Sequence, residues 1–334
     1  VTVADAEALA TQILVSLGTP HAPAVEVARS LVLANVVGHE SHGLVRLREY
    51  ASFVERGRVI PDAAPRVISD RGAAVMIDGQ HGWGQTAAHF AVGVAADRAR
   101  ELGAAVVTIR NCNHVGRIGE YVDELTRSGL VGIMWCNADP CVAPFGGAER
   151  MLGTNPFAVG VPTESEPVVV DFATASVAEG KLRVARASGT QAPPGAVVDR
   201  NGAATTDPND FYNGGALLPF GAHKGYGLSL IVELIGGALS GGHPSVNADY
   251  IAGNGVVLIA IDPAFFVGAD AFLADTTEAT QKIAASRPAR EGDRVLLPGD
   301  VERMQAQKNT ATITMADAIW ADVVALRDEK KATA

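Results

Sequence analysis

Cysteine is scarce: three residues in 334, at positions 112, 136 and 141. The number is odd and no pair has C-x-x-C spacing, so a disulfide framework is excluded. Reduced, mostly buried thiols and a cytoplasmic setting are expected instead. Positive charge is also short, with 27 Lys and Arg against 37 Asp and Glu, a net charge of −10. Such a surface repels nucleic acid and anionic lipid, while leaving room for a small basic pocket. Long hydrophobic runs are missing. The longest apolar stretch, near residues 255–261, falls far short of the roughly 20 residues of a membrane span. The first residues, Val1-Thr2-Val3-Ala4-Asp5, carry neither the basic nor the apolar region of a secretory leader, so none is expected. No repeat, heptad run or low-complexity segment stands out. With 48% hydrophobic and 19% charged residues, the chain cannot be a disordered one.

What is there has two textures. Over residues 4–56 the apolar residues Leu9, Ile13, Leu14 and Leu17, then Val27, Leu31, Val32 and Val36, recur at helical spacing. Three helices are predicted, broken at Thr19-Pro20 and ended at Gly57. Pro61 and Pro65 mark the crossing into a second composition. There, strands at 73–78, 104–110 and 131–136 alternate with helices at 86–102 and 119–128, the pattern of an α/β sheet packed with helices. Short strands at 157–161 and 168–172 follow, with a turn at Asp199–Gly202. A helix at 225–239, a strand at 256–261 and helices at 270–285 and 315–330 complete the reading.

One motif invites a dinucleotide-binding Rossmann reading: Gly82-Trp83-Gly84-Gln85-Thr86-Ala87 fits G-x-G-x-x-A between a strand and a helix. Two features argue against it. A polar loop, Asp78-Gly79-Gln80-His81, separates strand from glycine where a Rossmann turn is tight. No acidic ribose partner ends the next strand, which closes on Arg110.

Several constellations carry possible chemistry. His39-Glu40-Ser41-His42-Gly43 is followed by Arg46 and Tyr50. If these share a helix, the i, i+4 steps place His42, Arg46 and Tyr50 on one face. A guanidinium that grips a carboxylate beside an imidazole that moves a proton suits a 2-hydroxyacid. A zinc-protease motif fails, because His39 and His42 are three apart rather than four. Asn113-His114-Val115-Gly116 follows a buried strand, where α/β sheets build their sites. Gly153-Thr154-Asn155-Pro156 offers a hydroxyl and an amide in a turn. Asp171-Phe172-Ala173-Thr174-Ala175-Ser176 joins an acceptor for ribose hydroxyls to small hydroxyl residues, or is an N-cap cluster. Gly221-Ala222-His223-Lys224-Gly225 precedes a long apolar helix and has the makings of an anion site. Pro298-Gly299-Asp300 reads as a turn.

Taken in order across about 260 residues, these six motifs resemble the type-2 malate/L-lactate dehydrogenase family. That family also holds ureidoglycolate, sulfolactate and diketogulonate enzymes and cyclic-imine reductases. The stretches 113–119, 193–199 and 296–299 look closest to its hydroxycarboxylate dehydrogenase B branch. The resemblance implies an α/β, non-Rossmann mixed sheet flanked by helices that binds NAD or NADP. It implies a helical domain built from both chain ends, here residues 1–66 plus 301–334, against a 67–300 cofactor- and substrate-binding region. It also implies a homodimer. On the family's pattern His42 and His114 are the acid/base candidates, with Ser41 supporting His42 and Arg46 binding the substrate carboxylate. Tyr50, Thr154 and Asn155 join the substrate side. Asp171, Phe172, Ala173, Thr174, Ser176, His223, Lys224, Gly225, Gly299 and Asp300 line the cofactor. Some cyclic-imine reductases use an Asp shortly after the Asp171 motif; here Gly180-Lys181 stands in that place.

The expected reaction is hydride transfer between the cofactor and C2 of a 2-oxoacid or 2-hydroxyacid, with no metal. Histidine suits the proton step because its ordinary pKa lies near neutrality, and His42 is slightly preferred over His114. Reduction of a cyclic imine acid by the same residues is the nearer alternative. A metal-dependent lyase or hydrolase using His39, Glu40 and His42 is the distant one. Arg183 and Arg186 are candidates to meet a 2′-phosphate, or are solvated surface.

Overall fold

The two ends of the chain lie side by side in the computed structural model, which describes residues 1–333. Thr2 bridges Thr312 in antiparallel fashion, with Val3 N–H donating to Ala311 O and Ile313 N–H to Val1 O. Three helices follow the N-terminus: α1 (Val3–Ser16), α2 (His21–Val36) and α3 (Leu47–Glu55). Thr2 caps α1 by accepting from Asp5 N–H at 3.0 Å. Their apolar faces, including Ile13, Leu14, Leu31, Leu44 and Leu47, share one core with Ile313, Val323 and Leu326 near the other end.

The sheet has seven strands: β1 (Arg66–Arg71), β2 (Ala74–Asp78), β3 (Ala104–Cys112), β4 (Val131–Cys136), β5 (Phe157–Val161), β6 (Val168–Phe172) and, much later in the chain, Asn254–Ile261. That last strand sits in the middle, between β3 and β4. Only β2 and β3 are parallel; every other pairing is antiparallel. A Rossmann sheet is parallel throughout, so the mixed sheet is a different architecture. Helices α4 (Gly84–Leu102) and α5 (Gly119–Arg127) cover one face. Ile77, Ala91, Val107, Ile109, Tyr121, Leu125, Met134 and Leu258 form the core between them.

Strand β1 was not foreseen: it is exposed along most of its length, so it carries little alternation. Nor were α6 (Glu179–Ser188) and α7 (Pro208–Tyr212). They pack beside a second, three-stranded sheet of β7 (Val197–Val198), β8 (Ala204–Thr205) and β9 (Ala216–Leu217), pieces too short for periodicity to register. The expected helix at 225–239 begins two residues earlier as α8 (His223–Val232) and widens into a π-helix over Glu233–Leu239. The central strand Asn254–Ile261 is β10. Helices α9 (Ala269–Ala284), α10 (Asp300–Lys308) and α11 (Asp317–Thr333) end the chain. No helix among the described residues is long and apolar enough to cross a membrane.

Candidate active site

Two short loops, one after α2 and one after β3, bring the site's side chains together. Between α2 and α3 the backbone makes two 3-10 turns, Glu40–His42 and Leu44–Arg46, separated by an extended Gly43. The expectation that His42, Arg46 and Tyr50 share one helix face is therefore corrected: only Tyr50 lies in α3. Leu44 N–H donates to Asn35 Oδ1 at 2.9 Å and ties the turns to α2. The second loop follows β3 and is fixed by Asn113, whose amide donates to His81 O at 2.8 Å and Gly82 O at 2.9 Å. Here the Gly82-Trp83-Gly84 stretch finds its use. A Cβ at Gly84 would sit 2.3 Å from Asn113 O and 2.4 Å from His114 O, so glycine lets α4 pack directly beneath His114.

The loops place the rings of His42 and His114 in a stack, centroids 5.6 Å apart and 20° from parallel. Ser41 Oγ lies 3.0 Å from His42 Nδ1. Tyr50 Oη lies 2.8 Å from His114 Nδ1, and Gln85 Nε2 donates to the same hydroxyl at 2.8 Å. Arg46 donates through Nε to Ser41 O at 2.7 Å and through Nη1 to Glu49 at 2.6 Å. That leaves Nη2 as its uncommitted terminal nitrogen among the described residues.

Both imidazoles are neutral at ordinary pH. Burial, then the charges of Arg46, His39 and Arg117, push His42 down to about 3. Burial, then Arg46 and His42, hold His114 well below its usual value. No carboxylate hydrogen-bonds Ser41, His42 or His114 among the described residues. Gly180 lies against Ser41, where an added Cβ would be 2.7 Å from Ser41 Cβ. His39 turns away to Glu302 at 3.2 Å. Among the described residues no group of three or more His, Cys, Asp or Glu is arranged to hold a metal ion.

Asp171, near the end of β6, is largely buried. Its Oδ2 accepts from Gly119 N–H at 2.9 Å and lies 3.7 Å from Arg117 Nη1. Burial outweighs both partners and pushes its carboxyl above the usual range. Beyond it a rim opens outwards. Phe172 is exposed and meets Phe220 edge-on at 5.5 Å. The exposed Ser176 donates to Leu218 O. Thr174 is buried, its hydroxyl donating to Thr154 O at 2.9 Å. Helix α8 starts at this rim without a side-chain cap, behind a left-handed Ala222 (φ 55). His223 and Lys224 are exposed, and Lys224 has no carboxylate partner among the described residues. A Cβ at Gly225 would lie 2.1 Å from Phe220 O. The Lys224, Gly225 and Tyr226 N–H groups already donate to Gly221, Phe220 and Ala222 O, so it is the Lys224 ammonium and the His223 N–H at this tight turn that fit the phosphate of a nucleotide cofactor. Gly299 and Asp300 form a turn against β6: Val169 N–H donates to Pro298 O, and Asp300 accepts from Leu297 N–H and Arg303.

Two residues expected to meet substrate are sealed instead. Tyr50 is 2% exposed and its hydroxyl serves His114. Asn155 is fully buried, and its amide donates to Ser229 and to Glu233 at 2.9 Å while its Oδ1 accepts from Ala138 N–H. Thr154 is half-buried, its backbone carbonyl holding Thr174. Arg183 pairs with Glu179 and Arg186 lies over the ring of Tyr212, so neither is an idle cation. Sequence reasoning missed Gln85, Arg117 and Glu233. Gln85 lay inside the discounted glycine motif and Arg117 three residues past His114. Glu233 gave no signal within an apolar helix.

Comparison with known proteins comes down on one side. The profile of a family described as malate/L-lactate dehydrogenase matches residues 1–324. The chain is 38% identical over 300 residues to malate dehydrogenase of Pyrococcus horikoshii, covering 86% of this chain and 83% of that one. It is 36% identical over 297 residues to hydroxycarboxylate dehydrogenase B of Escherichia coli O157:H7, covering 86% and 81%. The solved structure of delta1-piperideine-2-carboxylate reductase from Pseudomonas syringae superposes with a TM-score of 0.88 at 32% identity, covering 98% of this chain and 99% of that one.

Proposed function

The chain belongs to the malate/L-lactate dehydrogenase family, and from that premise we propose that it interconverts a 2-oxoacid and a 2-hydroxyacid using NAD or NADP. The observation that carries this reading is the pair of neutral, stacked imidazoles beside a guanidinium with a free nitrogen. When bound, the nicotinamide supplies or accepts the hydride at C2. The cofactor would be held by the 171–176 segment (Asp171, Phe172, Ala173, Thr174, Ser176), by His223, Lys224 and Gly225, and by the Gly299-Asp300 turn.

Arg46 Nη2 binds the C1 carboxylate. That negative charge offsets the field by which Arg46 depresses both rings and restores their capacity to hold a proton. His114 exchanges the proton on the C2 oxygen. It is chosen over His42 because two buried groups, Tyr50 and Gln85, fix its Nδ1 side and leave Nε2 to face the substrate. His42, backed only by the neighbouring Ser41 hydroxyl, packs on His114 and orients it. Thr154, with its free hydroxyl, borders the substrate.

The test is steady-state turnover of 2-oxoacids with NADH and NADPH by His114→Ala and His42→Ala. His114→Ala should lose on the order of 10²-fold or more in kcat, and His42→Ala less. Near-full activity in both, or no activity of the wild type with either cofactor, overturns the reading.

The likeness to delta1-piperideine-2-carboxylate reductase favours a second reading, in which the same residues protonate the nitrogen of a cyclic imine acid. Turnover of a preformed cyclic imine against the open-chain 2-oxoacid separates the two. A homodimer is also proposed. Exposed Ile231, Leu234 and Leu239 along α8 and its π-helix, and Phe265, Phe266 and Val267 after β10, are apolar surface of the kind a partner subunit covers. Light scattering at micromolar protein decides it.

A further inference from the structure

Two buried side chains stand in line behind His114. Gln85 Nε2 donates to the Tyr50 hydroxyl at 2.8 Å, and that hydroxyl lies 2.8 Å from His114 Nδ1. Gln85 is fully buried and Tyr50 is 2% exposed. Rings wall the phenol elsewhere, with centroids 5.5 Å away at Trp83 and 6.5 Å at Phe53. Among the described residues the hydroxyl makes no third hydrogen bond. Counting hydrogens fixes the direction of the line. A phenol oxygen carries one hydrogen and accepts others. With Gln85 donating to it, its own hydrogen has one acceptor within reach, His114 Nδ1. If Nδ1 donated instead, the Tyr50 hydrogen would be stranded in a buried place, at the cost of an unmade hydrogen bond. Nδ1 therefore accepts, and an imidazole with one hydrogen then carries it on Nε2. The opposite order needs the Gln85 amide turned over, with Oε1 accepting from Tyr50. The amide nitrogen would then sit where Oε1, shielded from solvent, has no partner. Buried orphan N–H groups are rarer than under-used carbonyls.

We propose that Gln85 is a positioning residue: by donating to Tyr50 it holds the hydrogen of the His114 imidazole on Nε2, so that the ring meets the C2 oxygen of a 2-oxoacid as a hydrogen-bond donor. This rests on the role given to His114 above. A neutral imidazole that donates polarises a carbonyl without bringing a charge of its own into the site. Gln85 touches neither ring nor substrate. It acts through Tyr50, by leaving the phenol hydrogen only one place to go.

The experiment reads the ring nitrogens of His114 by 15N NMR at pH 8 in histidine-labelled protein, with the signals assigned by their loss in His114→Gln. The wild type should show a bare Nδ1 and a protonated Nε2. Gln85→Met offers Tyr50 neither a donor nor a strong acceptor. It should keep that tautomer while kcat for pyruvate with NADH or NADPH falls about 2- to 10-fold, the worth of one hydrogen bond. Gln85→Glu puts in place of the donor a carboxylate that only accepts once ionised. When 13C NMR shows that carboxyl ionised, the Tyr50 hydrogen should turn to it and the His114 hydrogen should move to Nδ1. A merely structural role would lower stability in both variants and leave the tautomer where it was. A wild type with its hydrogen on Nδ1 overturns the proposal, and so does a ring that keeps Nε2–H beside the ionised carboxylate. If neither variant folds, the wild-type tautomer decides. A wild type with the expected tautomer that reduces no 2-oxoacid overturns the reaction proposed above, whereas the opposite tautomer in an active enzyme overturns this inference alone.

Discussion

The Tyr50 hydroxyl lies 2.8 Å from Nδ1 of His114, bridging a helix of the first fifty-five residues to the loop after β3. It stands where a catalytic dyad often has a carboxylate, and it is itself held by Gln85. A neutral hydroxyl orients the imidazole without adding a charge, so the ring stays neutral under the influence of burial and Arg46.

Tyr50→Phe should therefore lower kcat about 10-fold, less than the roughly 10²-fold or more that goes with loss of the acid/base group itself, with KM close to that of the wild type. A merely structural role would lower stability and leave the pH profile of kcat where it was. A profile that does not move, with thermal stability alone reduced, refutes the positioning role.

Proton binding to the two rings should be weak in the free protein. His42 is pushed down to about 3 by burial, Arg46, His39 and Arg117, and His114 is lowered by burial, Arg46 and His42. Imidazole resonances followed by NMR between pH 8 and 5 should show neither ring with a midpoint near 6.5. Arg46→Leu should bring both midpoints upward. A wild-type midpoint at 6 or above for His42 would contradict the field described.

His89 behaves in the opposite way. Burial opposes its charge, yet the hydrogen bonds its ring donates to Glu120 and Glu124 outweigh it and push its pKa up to about 10. Its folded pKa exceeds the unfolded value near 6.5, so its contribution to stability is complete below pH 6.5 and lost as pH rises through about 10. Urea midpoints of the wild type should fall across that window. His89→Leu should show a smaller fall, and identical slopes in the two proteins would exclude the effect.

Asn155 ties three elements together through Ser229, Glu233 and Ala138. Glu233 is 2% exposed and also accepts from Asn137 and Ser245. Asn155→Ala removes one of its donors and should cost about 3 kcal/mol, as expected for a buried charged acceptor stripped of a partner. Denaturant unfolding measures this, and a loss under about 1 kcal/mol would show that neighbours or water take the donor's place.

The sequence by itself determined the elements with strong local signals. Helices and strands came through wherever apolar residues repeat at period 3.6 or fill a buried run, from Ile13 and Leu14 in α1 to Val107 and Ile109 in β3. It also carried the ordered motifs that mark the family, because those lie in short contiguous stretches such as Asn113-His114 and His223-Lys224-Gly225. Only the tertiary structure decided what those stretches do together. Tyr50 and His114 are 64 positions apart, and Gln85 and Tyr50 are 35 apart, distances no periodicity spans. The π-helix, the central place of β10 and the sealing of Asn155 depend on packing partners far along the chain. The direction of the hydrogen bonds through the Tyr50 hydroxyl depends on which acceptors it lacks. A linear sequence states which groups exist, but which of them surround a buried hydroxyl is set only when the chain has closed around it.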